Sequence, residues 1–408
     1  MNTILLAWRY LWARPLAAGL NLLLMTLGLG SMTFVLLASA QLARAFERDL
    51  AGIDVVVGAK GSPMQLILAG VFHIDVPPGN IPLAEVQTLA RHPQVAQLIP
   101  LSLGDSFRGF RIVGTTPAYL AHYKATLAQG TLWGAPMQVV PGAQVAAGAG
   151  LKVGDRFAGS HGLGGGGDAH GATPYTVSGV LAPCGCVLDR LVLTATESVW
   201  QVHETMHGGA PEAGPALDAE DRAALEADRE VTVALIRYQT PLAAVTFPRW
   251  VNSSTSMQAA APAVEITRLL GMVGVGTRVL QGFGAVLLLT AGLSVFIALW
   301  SAVRERRADL AMLRMLGAPP WKVGALLLCE ALWLALMASV PGLLAGHGLT
   351  AVASWWLQAD QSVALSGWQW IAAEAWVPLV AVGVAVLSAL LPAVSAYRVD
   401  VGPLLNPR

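Results

Sequence analysis

Residues 303–336 read VRERRADLAMLRMLGAPPWKVGALLLCEALWLAL. Arg304, Arg306, Arg307, Arg314 and Lys322 crowd the first part, and from Val323 to Leu349 the only charged residue is Glu330. A bilayer core of about 30 Å takes roughly 20 apolar residues as a helix, so this stretch reads as a basic loop entering a transmembrane helix. Three further runs of that length carry no charge at all: 16–43, 279–303 and 376–396. One such run is compatible with a buried core helix, whereas four with 323–349 predict a four-span membrane protein.

Composition agrees with this reading. The 408 residues are 55% hydrophobic and 12% charged, against roughly 25% charged in ordinary soluble domains. A formal net charge of zero gives no reason to expect nucleic acid as a partner. Three cysteines exclude a disulfide-stapled scaffold. The first apolar run is too long for a signal-peptide core and lacks an A-x-A-like site after it, so it reads as a retained anchor.

Lysine and arginine near span ends set the orientation. Arg9 and Arg14 precede the first span, the basic cluster of 304–322 joins the second and third, and Arg398 and Arg408 follow the fourth. These segments (1–15, 304–322 and 397–408) are therefore expected in the cytoplasm. Residues 44–278 and the loop 350–375 are expected on the outside. That loop holds Trp355, Trp356, Trp368 and Trp370, with Trp376 beside it, which reads as an interfacial aromatic belt.

The segment 44–278 is long enough for its own core. Ile53–Val57, Phe110–Val113, Tyr175–Leu181, Leu191–Thr194 and Val231–Tyr238 have strand composition, and Leu83–Ala90 has helix composition. In the last strand Val231, Val233 and Leu235 are expected on one face and Thr232 and Arg237 on the other. The glycine-rich run within Ser160–Thr173 and the Gly/Pro/acid mixture of Gly208–Arg229 read as loops, with Asp218–Asp228 a candidate short helix. An α+β domain follows.

Two cytoplasmic segments invite a role. Met1–Arg14 spaces Ile4, Leu5, Trp8, Leu11 and Trp12 at helical intervals, which suits an interfacial amphipathic helix and equally a continuation of the first span. In 304–322 a charged start gives way to an apolar stripe of Leu310, Leu313, Met315 and Leu316, with Gly317 as C-cap and Pro319–Pro320 as stop. Such a helix is suited to dock into a groove on a cytoplasmic partner, and equally to serve as a topogenic loop.

Three constellations have chemical readings. His203-Glu204-Thr205-Met206-His207 matches H-E-x-x-H, which on a helix presents two imidazoles to zinc. Gly208, Gly209 and Pro211 break that helix at once, and no third ligand is apparent, so a protease reading is weak. Cys184 and Cys186, flanking Gly185, are either candidate zinc ligands together with His203, His207, His161 or His170, or two incidental cysteines at a strand end. Their i, i+2 spacing makes any disulfide between them a tight one. Glu330 inside a span reads as an anchor pairing with Arg304, Arg306 or Arg314, with an ion relay as the alternative.

The order of elements (span, large outer domain, three spans, with a short cytoplasmic helix between the second and third) resembles the FtsX/MacB-like permeases of ABC transporters, the mechanotransmission or type VII class. Residues 303–336 resemble that family's block R-x-R-x-x-x-(apolar)-x-x-L-R-x-L-G-A leading into the third span. LPAVSAYRVDVGPLLNPR (391–408) resembles its ending. HPQVAQLIPLS (92–102), FRIVGTTPAYL (110–120), AQVAAGAGLKVGDRF (143–157) and YTVSGVL (175–181) resemble its periplasmic core domain. VVVGAKGSPMQLILAGVFHIDVPPGNIP (55–82) reads as a subfamily feature without an evident mechanism.

The resemblance implies a four-helix transmembrane bundle with an inserted α+β extracytoplasmic, MacB-like periplasmic core domain, in a bacterial inner membrane. It implies a permease that is not itself an enzyme: the sequence has no G-x-x-x-x-G-K-[ST] and no Gly-Lys dipeptide. ATP and magnesium would be bound by a separate cytoplasmic ABC ATPase. The expected partners are that ATPase, a second permease copy or paralogue, a periplasmic protein and membrane lipids. ATPase coupling falls by resemblance on Arg304, Arg306, Leu310, Leu313, Arg314, Leu316 and Gly317. The expected work is export or extraction of a lipoprotein, lipid or peptide. The alternatives are a scaffold controlling a periplasmic enzyme, or a component of a zinc transport system.

Overall fold

The computed structural model describes residues 3–162, 173–206, 229–358 and 365–398. The chain divides into two compact units, Met1–Ala43 with Met272–Arg408, and Arg44–Gly271.

The first unit is helical. Thr3–Trp12 is a helix of its own, because the chain breaks at Ala13–Arg14 and Pro15 opens the next helix at a position where proline's missing N–H costs nothing. The continuation reading of the N-terminus is thereby replaced. The remaining helices are Pro15–Leu50, Pro262–Glu305, Arg307–Met315, Pro320–Gln358 and Trp376–Tyr397, the last preceded by a 3₁₀ turn at Ala372–Ala375. Among the described residues four helices are long and apolar enough to cross a membrane: Pro15–Leu50, Pro262–Glu305, Pro320–Trp356 and Ala372–Tyr397. The first two run beyond their apolar cores into charged turns, Arg44 to Asp49 and Glu265 to Arg278.

Their core is rich in alanine: Ala291, Ala331, Ala335, Ala338, Ala381, Ala385 and Ala389 are buried together with Met25, Leu29 and Val295. Small side chains let helix backbones approach where lipid supplies no hydrophobic drive. Gly342 faces Leu29 so closely that a Cβ on it would lie 2.7 Å from that residue's Cβ, and Gly346 meets Thr33 at still shorter range. Gly292 packs against Ser388 and Val384, whereas Gly282 and Gly383 face open space.

The second unit is built on a ten-stranded sheet. Its order is Met257–Ala260, Val55–Ala59, Val233–Tyr238, Val95–Phe107, Phe110–Thr115, Val192–Ala195, Gln138–Pro141, Tyr175–Val177 and Arg156–Phe157, with Ser160–His161 paired to Val95–Phe107. Pairing is antiparallel except between Phe110–Thr115 and Val192–Ala195 and between Gln138–Pro141 and Tyr175–Val177. Leu83–Ala90 is helical. The strand expected over 175–181 is split: Gly179–Leu181 leaves the main sheet to pair with Leu127–Gly130.

The expected polar face of 231–238 is limited to its end: Arg237 is exposed, whereas residues 231–236 are buried on both sides. Val233 and Leu235 enter one core with Leu66, Ile67 and Leu101. Ala234 and Ile236 enter a second with Phe247 and Val251, and Val231 joins that second face. The pairing restarts at Thr232, between Glu230–Val231 and Val233–Tyr238. Helices cover both sides of these central strands, so period-two patterning loses its usual meaning. Thr232, although 1% exposed, has its Oγ1 accept from Leu103 N–H at 2.9 Å and donate to Asn80 Oδ1 at 3.1 Å.

Candidate functional site

The segment joining the second and third long helices begins where Pro262–Glu305 stops. Arg306 leaves helical geometry with φ −95° and ψ 16°, and Arg307–Met315 starts anew. Its end follows from the sequence. Gly317 takes a left-handed φ of 93°, which lets its N–H reach Arg314 O and the N–H of Ala318 reach Leu313 O, each at 3.0 Å. This pair of bonds is a Schellman cap. Pro320 then opens the next helix.

The predicted coupling residues divide by environment. Leu310 is buried at 2% exposure and belongs to the packing of the helical unit. Leu313 is half-buried and shares a cleft with Thr3, Leu6, Ala318, Lys322, Val323 and Leu326. Leu310 therefore faces inward, while Leu313 lines a cleft. The exposed apolar surface is Met312, Met315, Leu316 at 79% and Trp321. Met312 and Trp321 were absent from the expected stripe. A stripe counted from one end of a nine-residue helix does not reveal which side the remaining helices cover.

The arginines differ likewise. Arg304 lies exposed, its guanidinium 6.0 Å from the Trp300 ring centre. Arg306 turns inward: its Nη1 meets Glu330 Oε1 at 3.3 Å, and its Nη2 donates to Tyr10 O at 3.0 Å. The guanidinium also stacks 4.4 Å from the Tyr10 ring. Arg306 thus joins the break before the short helix to the N-terminal helix and to Pro320–Gln358. Arg14 pairs with Glu305 nearby. A satisfied ion pair of this kind favours anchoring over relay at Glu330.

A second buried pair lies in the same unit and escaped sequence reading. His347 places Nδ1 2.7 Å from Gly367 O and Nε2 3.0 Å from Glu374 Oε2. Glu374 Oε1 accepts from Ile371 N–H at 2.9 Å. Gln41 bonds both backbone groups of Ser366, at 2.8 and 2.7 Å. Residues Ser366, Gly367 and Glu374 are therefore held by side chains of two helices. Trp355, Trp356, Trp368, Trp370 and Trp376 are all well exposed.

In the α+β unit the 55–82 segment gains a structural account. Ser62 caps Pro63–Gly70. The chain then reaches His73, held at φ 56° and 5% exposed. Its Nε2 lies 3.0 Å from Tyr119 Oη. Burial, reinforced by Arg111 and Arg190, lowers the imidazole pKa well below its ordinary value. Arg111 donates to Asp75 O at 2.7 Å, and burial lowers its pKa to about 10.

Cys184 and Cys186 are joined in a disulfide and in that state offer no thiolate to a metal. His203 lies on the helix Thr196–Met206, and His207 lies outside the described residues. Among the described residues no group of three or more His, Cys, Asp or Glu side chains is gathered as a metal site.

The MacB-like periplasmic core domain family matches residues 18–236, and the FtsX-like permease C-terminal family matches residues 282–401. No curated protein matches the chain. Among solved structures, the periplasmic region of MacB from Actinobacillus actinomycetemcomitans is 12% identical with a TM-score of 0.34, over 54% of this chain and 95% of that one. The extracellular domain of the noncanonic ABC-type transporter YknZ from Gram-positive bacteria is 11% identical with a TM-score of 0.31, over 50% of this chain and 98% of that one. Family matches before and across the helices able to span a membrane cover most of the sequence, and on that ground the chain belongs to the FtsX-like permeases with a MacB-like periplasmic core domain, membrane components of ABC transporters.

Proposed function

We propose that this chain is the permease subunit through which a separate cytoplasmic ABC ATPase moves the α+β unit. In this reading the four long helices cross the bacterial inner membrane, residues 304–322 lie in the cytoplasm and the α+β unit lies outside. A second permease copy completes the transporter. The work done is export or extraction of an amphiphilic cargo such as a lipoprotein, lipid or peptide. The observation that carries the reading is the short helix Arg307–Met315 between two spanning helices. Its inner side is fixed by Leu310, while Met312, Met315 and Leu316 are left without cover. An exposed apolar patch of this kind supports docking of a partner at this helix.

Leu316 supplies the test. Leu316→Asp places a charge in an apolar contact, which costs several kcal/mol when unpaired. The co-expressed ATPase then fails to co-purify, while the permease still inserts and retains its thermal stability, because Leu316 supports no internal packing. Undiminished co-purification together with undiminished ATPase stimulation refutes docking at this helix.

A further inference from the structure

We propose that Cys184 and Cys186 form a redox-active disulfide that exchanges with thiol reductants, Cys184 being the sulfur that is attacked. The established family assignment does not use this pair, and three observations set it apart from a structural staple.

First, the bond closes a loop of only three residues. Loop-closure stabilisation grows with the logarithm of loop length, so this disulfide restrains the unfolded chain less than almost any other. Second, the loop is held without it. Asp189 is 3% exposed, and its carboxylate accepts from Cys184 N–H at 3.0 Å and from Gly185 N–H at 2.7 Å. Gly185 takes a φ of 64°, a conformation that favours glycine. Asp49 Oδ1 accepts from Val187 N–H at 3.1 Å and fixes the far side of the loop. The backbone therefore keeps its shape whether the sulfurs are joined or apart.

Third, the two sulfurs have unequal surroundings suited to exchange. Cys186 is buried at 7% exposure, whereas Cys184 is half-buried beside exposed Pro183 and Gly185. The N–H of Cys186 points at Cys184 Sγ from 3.1 Å. A Cβ on Gly185 would lie 3.4 Å from an Nη of Arg48, so a guanidinium, whose Nε lies 3.7 Å from Asp49 Oδ1, stands beside the loop. Backbone N–H groups and arginines stabilise thiolates and make them good leaving groups.

The thiolate of a first reductant attacks Cys184 Sγ, a mixed disulfide forms, the Cys184–Cys186 bond breaks, and Cys186 departs as thiolate. A second reductant thiolate attacks the reductant's own sulfur in the mixed disulfide. The reductant's disulfide forms and Cys184 departs as thiolate, accepting the Cys186 N–H. The protons released by the two reductant thiols reprotonate the two cysteines. Two electrons pass from the reductant to the pair, and reoxidation runs in reverse.

The test uses the full chain purified in detergent, with Cys329→Ser to remove the remaining thiol. Graded mixtures of reduced and oxidised glutathione are the probe, and alkylatable thiols are counted by mass. The count is expected to move reversibly between zero and two with near-UV circular dichroism unchanged. A disulfide that stays closed in reduced glutathione until the chain is denatured overturns the proposal, as does a reduction that abolishes the near-UV signal. Single-thiol variants then assign the sulfur. Cys186→Ser, which keeps Cys184, is expected to react with oxidised glutathione at least about tenfold faster than Cys184→Ser, which keeps the buried sulfur. Equal or reversed rates overturn the assignment to Cys184.

Discussion

His73 shows how one residue joins several constraints. It occupies the left-handed region at φ 56°, where side chains other than Gly, Asn and Asp are uncommon, and burial there keeps the ring neutral. Its folded pKa lies well below its ordinary value near 6.5. The unfolded chain therefore binds a proton that the folded chain refuses, and stability falls as pH drops below about 6.5. His122, also lowered chiefly by burial, acts in the same sense. His73→Asn keeps a residue tolerant of the backbone and loses the Tyr119 bond. At pH 7.5 it is expected to destabilise the α+β unit by about 1–3 kcal/mol. The gap from wild type should narrow toward pH 5, because the variant has one fewer proton to exclude. Hydrogen exchange of peptides spanning residues 66–76, followed in both proteins across that range, decides the matter; a gap constant with pH refutes the account.

At the scale of elements the helical unit is governed by close approach. Gly342 and Gly346 sit one turn apart on Pro320–Gln358, against Leu29 and Thr33 of Pro15–Leu50. An added methyl at Gly346 has nowhere to go and is expected to cost about 1–3 kcal/mol. Gly383, on Trp376–Tyr397, meets nothing. The same change there should be neutral or slightly stabilising, since alanine outranks glycine as a helix former by about 1 kcal/mol. Thermal melts of Gly346→Ala and Gly383→Ala in one detergent compare the two directly, and equal melting temperatures would contradict the packing described. The short helix Arg307–Met315 obeys a different logic. Its cap was legible from Leu-Gly-Ala-Pro-Pro, but its buried side was not, because that depends on where Thr3, Leu6 and Val323 come to lie.

For the whole molecule the proposal is transmission of force rather than conduction. Glu330 is the lone carboxylate within 323–349, and it is spent on Arg306. Ser294 Oγ donates to Asn21 Oδ1 at 2.6 Å and Ser388 Oγ to Val384 O at 2.8 Å, so these polar groups also look inward. A polar solute needs unspent polar groups along its path. Structures of the permease–ATPase complex with and without trapped nucleotide should therefore show the α+β unit displaced while the spans stay closed to water. A continuous aqueous path through the spans in either state would falsify this reading. The same topology requires cysteines placed at residues 160 and 318 to be labelled from opposite sides of the membrane.

What the sequence determined by itself is whatever depends on local chemistry. Charge-free runs marked the long helices because a span cannot leave polar groups unsatisfied. Gly317 and Pro320 marked helix ends because backbone sterics act over a few residues. The helix Leu83–Ala90 and the strand at Phe110 were readable for the same reason. Only the tertiary structure decided which faces are covered. Val231–Tyr238 read as two-faced, yet residues 231–236 are buried on both sides, since helices distant in sequence cover each. Leu310 turned inward and Met312 outward because the side of a short helix is assigned by its neighbours. Arg306 with Glu330, His347 with Glu374 and His73 with Tyr119 stand 24, 27 and 46 residues apart. Buried polar groups demand partners but do not say in sequence where the partners are, and the folded chain alone brings them within hydrogen-bonding reach.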